Sequence, residues 1–149
     1  MSVVHETIVL DRHYPAAPER VFRAFADPAA KAQWFHGPQG WDQQGATTFD
    51  FREGGRECSA AGVTGGPICT YEATFHDIVP GERIVLSYEM ATDGRRMSVS
   101  VQTVELRAEP GGTHLILTDQ GAYLDGLDSA KNRTSGIDAQ LDLLAEALG

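Results

Sequence analysis

The final segment of the chain follows a different period from everything before it. From about Ser129, the residues Ala130, Ile137, Leu141, Leu144 and Leu148 recur at helical spacing, while Asp138, Asp142 and Glu146 occupy the rest of the circumference. One long amphipathic helix with a single apolar stripe is expected, and such a stripe must be buried against another layer.

The preceding residues supply that layer as period-two segments separated by turns. From His5 to Tyr14, Ile8, Leu10 and Tyr14 share one phase, with Asp11 and His13 on the other. Pro15 ends this strand. Pro18 suits the first position of a short helix that carries Val21, Phe22 and Phe25; Asp27-Pro28 breaks it, and a second short helix leads to Ala32, Trp34 and Phe35. Strands are then expected over Thr48 to Glu53, Arg56 to about Ala60, Ile68 to Ile78, Arg83 to Ala91, Met97 to Ala108 and Thr113 to Gln120. In the fourth of these, Ile84, Leu86, Tyr88 and Met90 share a face opposite Ser87 and Glu89, which implies one wet side. The fifth starts with Met97, Val99 and Val101 in odd phase and continues with Val104 and Leu106 in even phase, so a bulge is expected near Gln102 or Thr103. The fold class is therefore α+β: two short helices after the first strand, then a curved antiparallel sheet of about six or seven strands around a long C-terminal helix.

The chain has 149 residues, the size of one domain able to bury a core without metals or disulfides. Lys and Arg total 12 against 21 Asp and Glu, and a formal charge of -9 disfavours nucleic acid, whose phosphates need clustered positive charge. No apolar run approaches the ~20 residues of a membrane span, and Met1 to Glu6 lack the pattern of a secretion signal, so a cytoplasmic protein is expected. Cys58 and Cys69 match no zinc-site spacing. If Gly62 pairs with Gly65 at a hairpin tip, the two cysteines face each other across a ladder, and reduced thiols are the expected state in a reducing compartment.

Several stretches together resemble the START-like SRPBCC superfamily, in the branch named for homology to the activator of the heat-shock-protein-90 ATPase. They are Tyr14-Pro15-Ala16-Ala17-Pro18-Glu19-Arg20-Val21-Phe22-Arg23-Ala24-Phe25, Trp34-Phe35, Asp50-Phe51-Arg52-Glu53-Gly54-Gly55-Arg56, Ile78-Val79-Pro80-Gly81-Glu82-Arg83-Ile84-Val85 and Gly112-Thr113-His114-Leu115, followed by the leucine-rich last helix. The resemblance covers nearly the whole chain in order. It implies a helix-grip fold with a cavity between sheet and final helix, used by various relatives for lipids, steroids, polyketides or other hydrophobic molecules. Two positions depart from the branch: Gly136-Ile137 stands where a Gly-Trp pair is frequent, and Ala73 where glycine is frequent. Replacing Trp by Ile is expected to enlarge the cavity.

Trp34, Phe49, Phe51, Tyr71, Phe75, Tyr88, Met90 and Met97, with Ile137 and Leu141 from the helix, have the composition of a pocket lining and equally that of a plain core. Among polar residues, His36 ends a short helix and His76 lies on a central strand, where they could converge at the cavity mouth, as solvated imidazoles or as functional ones. Asp50 and Arg52, two apart on an expected strand, would either anchor a polar ligand group inside or cross-link strands on a solvated face. The five histidines show no ligand spacing, so neither a metal nor a cofactor is expected. No nucleophile elbow, phosphate loop or dinucleotide fingerprint is present.

Three readings follow. The first is binding of a small hydrophobic molecule by a domain with no assigned catalysis. The second is a co-chaperone-like activator of a heat-shock-protein-90 ATPase, implied by the branch name. The third is a cyclase- or hydrolase-type enzyme using the same cavity. A homodimer is compatible with all three.

Overall fold

The computed structural model describes all 149 residues. Its elements run β1 (Val3–Tyr14), α1 (Pro18–Ala26), α2 (Pro28–Ala32), β2 (Asp42–Gln43), β3 (Thr48–Phe49), β4 (Arg56–Gly62), β5 (Cys69–Val79), β6 (Arg83–Thr92), β7 (Arg95–Glu109), β8 (Gly112–Leu124) and α3 (Ala130–Leu148). The sheet is antiparallel, with the order β1-β8-β7-β6-β5-β4-β2 and β3 paired to β4. Its eight strands exceed the expected six or seven only through the two-residue piece β2. The helix-grip architecture is thus the observed one. No helix is long and apolar enough to cross a membrane.

Helix α3 starts at Ser129, whose side chain accepts a hydrogen bond from the Asn132 amide and so satisfies one of the unpaired amides of the first turn. Its stripe of Ile137, Leu141, Leu144 and Leu148 is buried against Tyr14, Leu106, Leu115 and the other inward side chains of the sheet. The Tyr14 hydroxyl donates to the Leu141 carbonyl at 2.9 Å, tying β1 to the helix. Helices α1 and α2 close one end. Asp27 ends α1 and caps α2 by accepting from the Ala30 amide, and Trp34 beyond α2 is buried with its indole donating to the Ala24 carbonyl.

Three sequence expectations need correction. The strand expected over Thr48 to Glu53 is real only at Thr48–Phe49, because a turn intervenes. Gly54 has φ of 83°, and a Cβ on Gly55 would lie 2.0 Å from the Asp50 carbonyl oxygen, so only glycines allow the chain to double back here. The cysteines do not face each other. Ala61 pairs with Cys69 and Cys58 with Glu72, because the chain bends at Val63 and Gly66 and the hairpin tip is wider than two residues; both thiols are free.

The bulge expected near Gln102 or Thr103 is absent, since β6 and β7 keep one register from Arg83↔Glu105 to Met90↔Ser98. Irregularities occur instead between Met90 and Ala91, opposite Met97, and between Phe75 and Asp77. The phase change in β7 has another cause: Ser98, Ser100, Gln102, Val104 and Leu106 all lie on the inward phase, and Val99 and Val101 are exposed. Polar residues face inward in the first half of this strand.

Leu144 is completely buried, so Leu144→Ala is expected to lower stability by about 2–5 kcal/mol, read as a reduced denaturant midpoint with an unchanged slope. A loss below about 1 kcal/mol would mean that the helix is not gripped at this point.

Candidate functional site

Between the concave face of the sheet and α3 lies a cavity of about 1050 Å³, comparable to or slightly larger than a typical small-molecule pocket. Its apolar wall combines Trp34 and Phe35 after α2, Tyr71 and Phe75 on β5, Leu86 and Met90 on β6, and Ile137 and Leu141 on α3. The segment from His36 to Trp41 forms part of its rim, facing Gln140 and Leu143 of the helix. The aromatic residues interlock edge to face, Trp34 on Phe35 at 5.7 Å and Phe35 on Tyr71 at 5.3 Å. Such stacking fixes ring orientation, so this wall has a defined shape.

At the other end the cavity meets a chain of buried polar groups. Arg133, one turn before Ile137 on the helix stripe, donates to the Tyr88 hydroxyl at 2.9 Å, to Ser98 Oγ at 2.8 Å and to Asp128 Oδ2 at 2.7 Å. Tyr88 in turn donates to Asp119 Oδ2 at 2.5 Å, and Gln102 Nε2 donates to the same oxygen at 3.0 Å. The guanidinium lies over the Tyr88 and Tyr123 rings, 5.3 and 5.5 Å from their centroids. Asp119 Oδ1 and the Tyr123 hydroxyl are buried without any protein partner. A buried cation between two carboxylates is tolerable only because nearly every donor is engaged. The inward serines of β7 serve that purpose.

A second buried pair sits at the aromatic end. Lys31 Nζ lies 2.7 Å from Glu57 Oε1, with both side chains 9% exposed, and is also 4.3 Å from the Phe35 ring centroid. Burial pushes the Lys31 ammonium below the ordinary lysine value, and Glu57 pulls it partly back. Glu57 pairs in the ladder with Ala73, a small residue on the same inward face.

Of the residues singled out in the sequence, Trp34, Phe51, Tyr71, Phe75, Tyr88, Met90, Ile137 and Leu141 border the cavity, and His36 stands exposed on its rim. The others lie elsewhere. Phe49 packs in the core against Phe51 and Phe75 without bordering the cavity, and Met97 borders a smaller neighbouring recess, where its sulfur accepts from Thr92. His76 is exposed on the outer face, bonded to Ser87 Oγ at 2.7 Å, so it does not converge with His36. Asp50 and Arg52 form an ion pair with each other at 2.7 Å on an exposed turn rather than on a strand, which removes them from the interior.

The polar chain of Arg133, Asp119, Gln102, Ser98, Ser100 and Asp128 was not expected from the sequence. Two signals mark it: Arg133 falls on the apolar stripe of the helix, and Asp119 falls on the inward phase of β8 between Leu117 and Tyr123.

The family model described as Activator of Hsp90 ATPase homolog 1-like protein matches residues 15–149. Among solved structures, the chain is similar to the Mll3558 protein from Rhizobium loti, with TM-score 0.91 and 46% identity over 99% of each chain. It is similar also to an uncharacterized protein from Rhizobium leguminosarum, with TM-score 0.89 and 42% identity over 99% of this chain and 96% of the other. The CV1439 protein from Chromobacterium violaceum follows at TM-score 0.79 and 29% identity, over 95% and 96%. No curated protein matches the chain.

Burial pushes the phenols of Tyr14, Tyr71 and Tyr88 above their ordinary value, Tyr14 to about 12. In the unfolded chain they ionise near pH 10. Above that pH the unfolded state therefore binds fewer protons than the folded one, so stability is full below about pH 10 and falls as pH rises toward about 12. Denaturant midpoints measured across this range should decline, less steeply in Tyr14→Phe; a flat profile would contradict the burial of these groups.

Proposed function

This chain belongs to the family of Activator of Hsp90 ATPase homolog 1-like proteins, and from that premise and the form of its interior we propose that it binds a small hydrophobic molecule bearing a polar group between the sheet and α3. The observation that carries the reading is the asymmetry of the cavity. One end is walled by the rings of Trp34, Phe35, Tyr71 and Phe75 around the paired Lys31, and the other is bounded by Tyr88, Gln102, Asp128 and Arg133. An apolar pocket with a few convergent polar groups is the usual form of a small-molecule site: the apolar area supplies affinity, and the polar groups fix orientation. A ligand seated here would place its hydrocarbon against the aromatic wall and its polar group toward the Tyr88 and Gln102 side chains. Ile137, at the centre of the helix face, controls how much room is left.

A second reading, stimulation of an Hsp90-type ATPase, is favoured by the family match across residues 15–149. An ATPase rate unchanged by stoichiometric addition of this protein would remove it.

Fatty acids, steroids and aromatic polyketides are the probe classes for the first reading. A molecule that fits should stabilise the fold by about 2.7 kcal/mol at 100 times its Kd, read as a rise in melting temperature. Ile137→Trp, which fills the cavity from the helix side, should retain the fold and abolish that rise. No shift with any of the three classes, or a full shift in Ile137→Trp, would count against binding at this place.

A further inference from the structure

On the outer face of the sheet, away from the cavity, we infer a binding site for a first-row divalent cation of the zinc type, formed by Asp11 and His13 of β1 and His114 of β8. His13 and His114 are directly opposite each other in the ladder, and their rings stack with centroids 4.3 Å apart and planes inclined by 9°. Asp11, two residues before His13, points to the same face, and its Oδ2 lies 2.9 Å from His114 Nε2. One nitrogen from each ring and one oxygen from Asp11 all lie within 4.8 Å of one another.

Zinc bonds of about 2.0–2.1 Å place tetrahedral ligand atoms about 3.3 Å apart, so each side chain need draw in by no more than about 1.5 Å. Asp11 and His13 are exposed and can turn to make that adjustment. Two imidazoles and one carboxylate leave a position open to water, and this nitrogen-rich set favours zinc, copper or nickel over magnesium or calcium.

The surroundings support the same chemistry. Glu109 at the end of β7 holds His13 Nδ1 at 2.9 Å, the arrangement by which a carboxylate fixes the ring and tautomer of a metal-binding histidine. Both nearby arginines are engaged elsewhere. Arg12 turns to the other face, where it meets Asp138 at 2.6 Å, and Arg107, opposite His114 in the ladder, leans toward Glu105. The sequence could not reveal this group, because the two histidines lie far apart in the chain and only the β1–β8 register unites them. Since β1 is an edge strand, a bound ion would clamp it to its single neighbour in the sheet.

The test is calorimetric titration of the full chain with zinc chloride after removal of metals by chelator, with melting curves in parallel. One zinc per chain is expected, accompanied by a rise in melting temperature. His13→Gln and His114→Gln should each weaken binding by about tenfold or more, and Glu109→Gln by about tenfold through loss of ring positioning. Their metal-free forms should fold and melt within a few degrees of the parent, because His13 is exposed and His114 and Glu109 are only half-buried. A Cys58→Ser/Cys69→Ser variant should bind as the parent does. The site is refuted by absence of saturable binding, by binding that survives the His13→Gln/His114→Gln double substitution, or by binding that is lost with the cysteines.

Discussion

The grip of sheet on helix turns on one buried cation. Arg133 occupies a position on the α3 stripe where an aliphatic residue would complete the pattern, and it takes its partners from both layers: Asp128 before the helix, and Tyr88 and Ser98 on the sheet. Desolvating a guanidinium costs several kcal/mol unless paired charges and hydrogen bonds offset it. The inward face of β7 is therefore polar at Ser98 and Ser100, which bond to Arg133, and apolar at Val104 and Leu106, which belong to one core with Leu141 and Leu144. Helix docking has two chemically different halves.

The cavity inherits that division. Its aromatic end is rigid through ring stacking and through the Lys31–Glu57 pair, which fastens α2 to the sheet. Its polar end is rigid through the hydrogen-bond chain from Asp128 to Asp119 and Gln102. Between them, residues of modest size on α3, Gly136 and Ile137, leave space that a larger side chain would occupy. The opening is a consequence of what the helix carries, and the sheet provides the concave wall.

Most of the architecture was legible because period reports burial. The stripe of α3, the alternation of β6 and the break at Asp27-Pro28 each follow from local physics, and the structure has them at the expected places. Legibility ended where tertiary partners reversed the usual sense of polarity. In β7 the exposed Val99 and Val101 and the buried Ser98 and Ser100 invert the normal alternation, so a polar interior looked like a bulge. In the sequence Asp50 and Arg52 fit an interior pair or a solvated one, because the turn forced by Gly54 and Gly55 lies hidden in an apparently continuous strand; they form an exposed ion pair on that turn. Arg133, Asp119 and Glu57 are illegible in the sequence for a common reason: a charged residue in an inward phase has meaning only once its partner is known. Pairs created by register, such as Cys58 with Glu72 or His13 with His114, likewise need the ladder itself.

Arg133 and the sheet carboxylate Asp119 act together across the helix–sheet boundary through the Tyr88 hydroxyl. A double-mutant cycle on stability with Arg133→Met, Asp119→Leu and the double variant measures that connection. A coupling of about 1 kcal/mol or more is expected, with the double variant less destabilised than the two single losses together. Losses that add to within about 0.5 kcal/mol would show that the two residues are independent and that the grip does not rest on this buried chain.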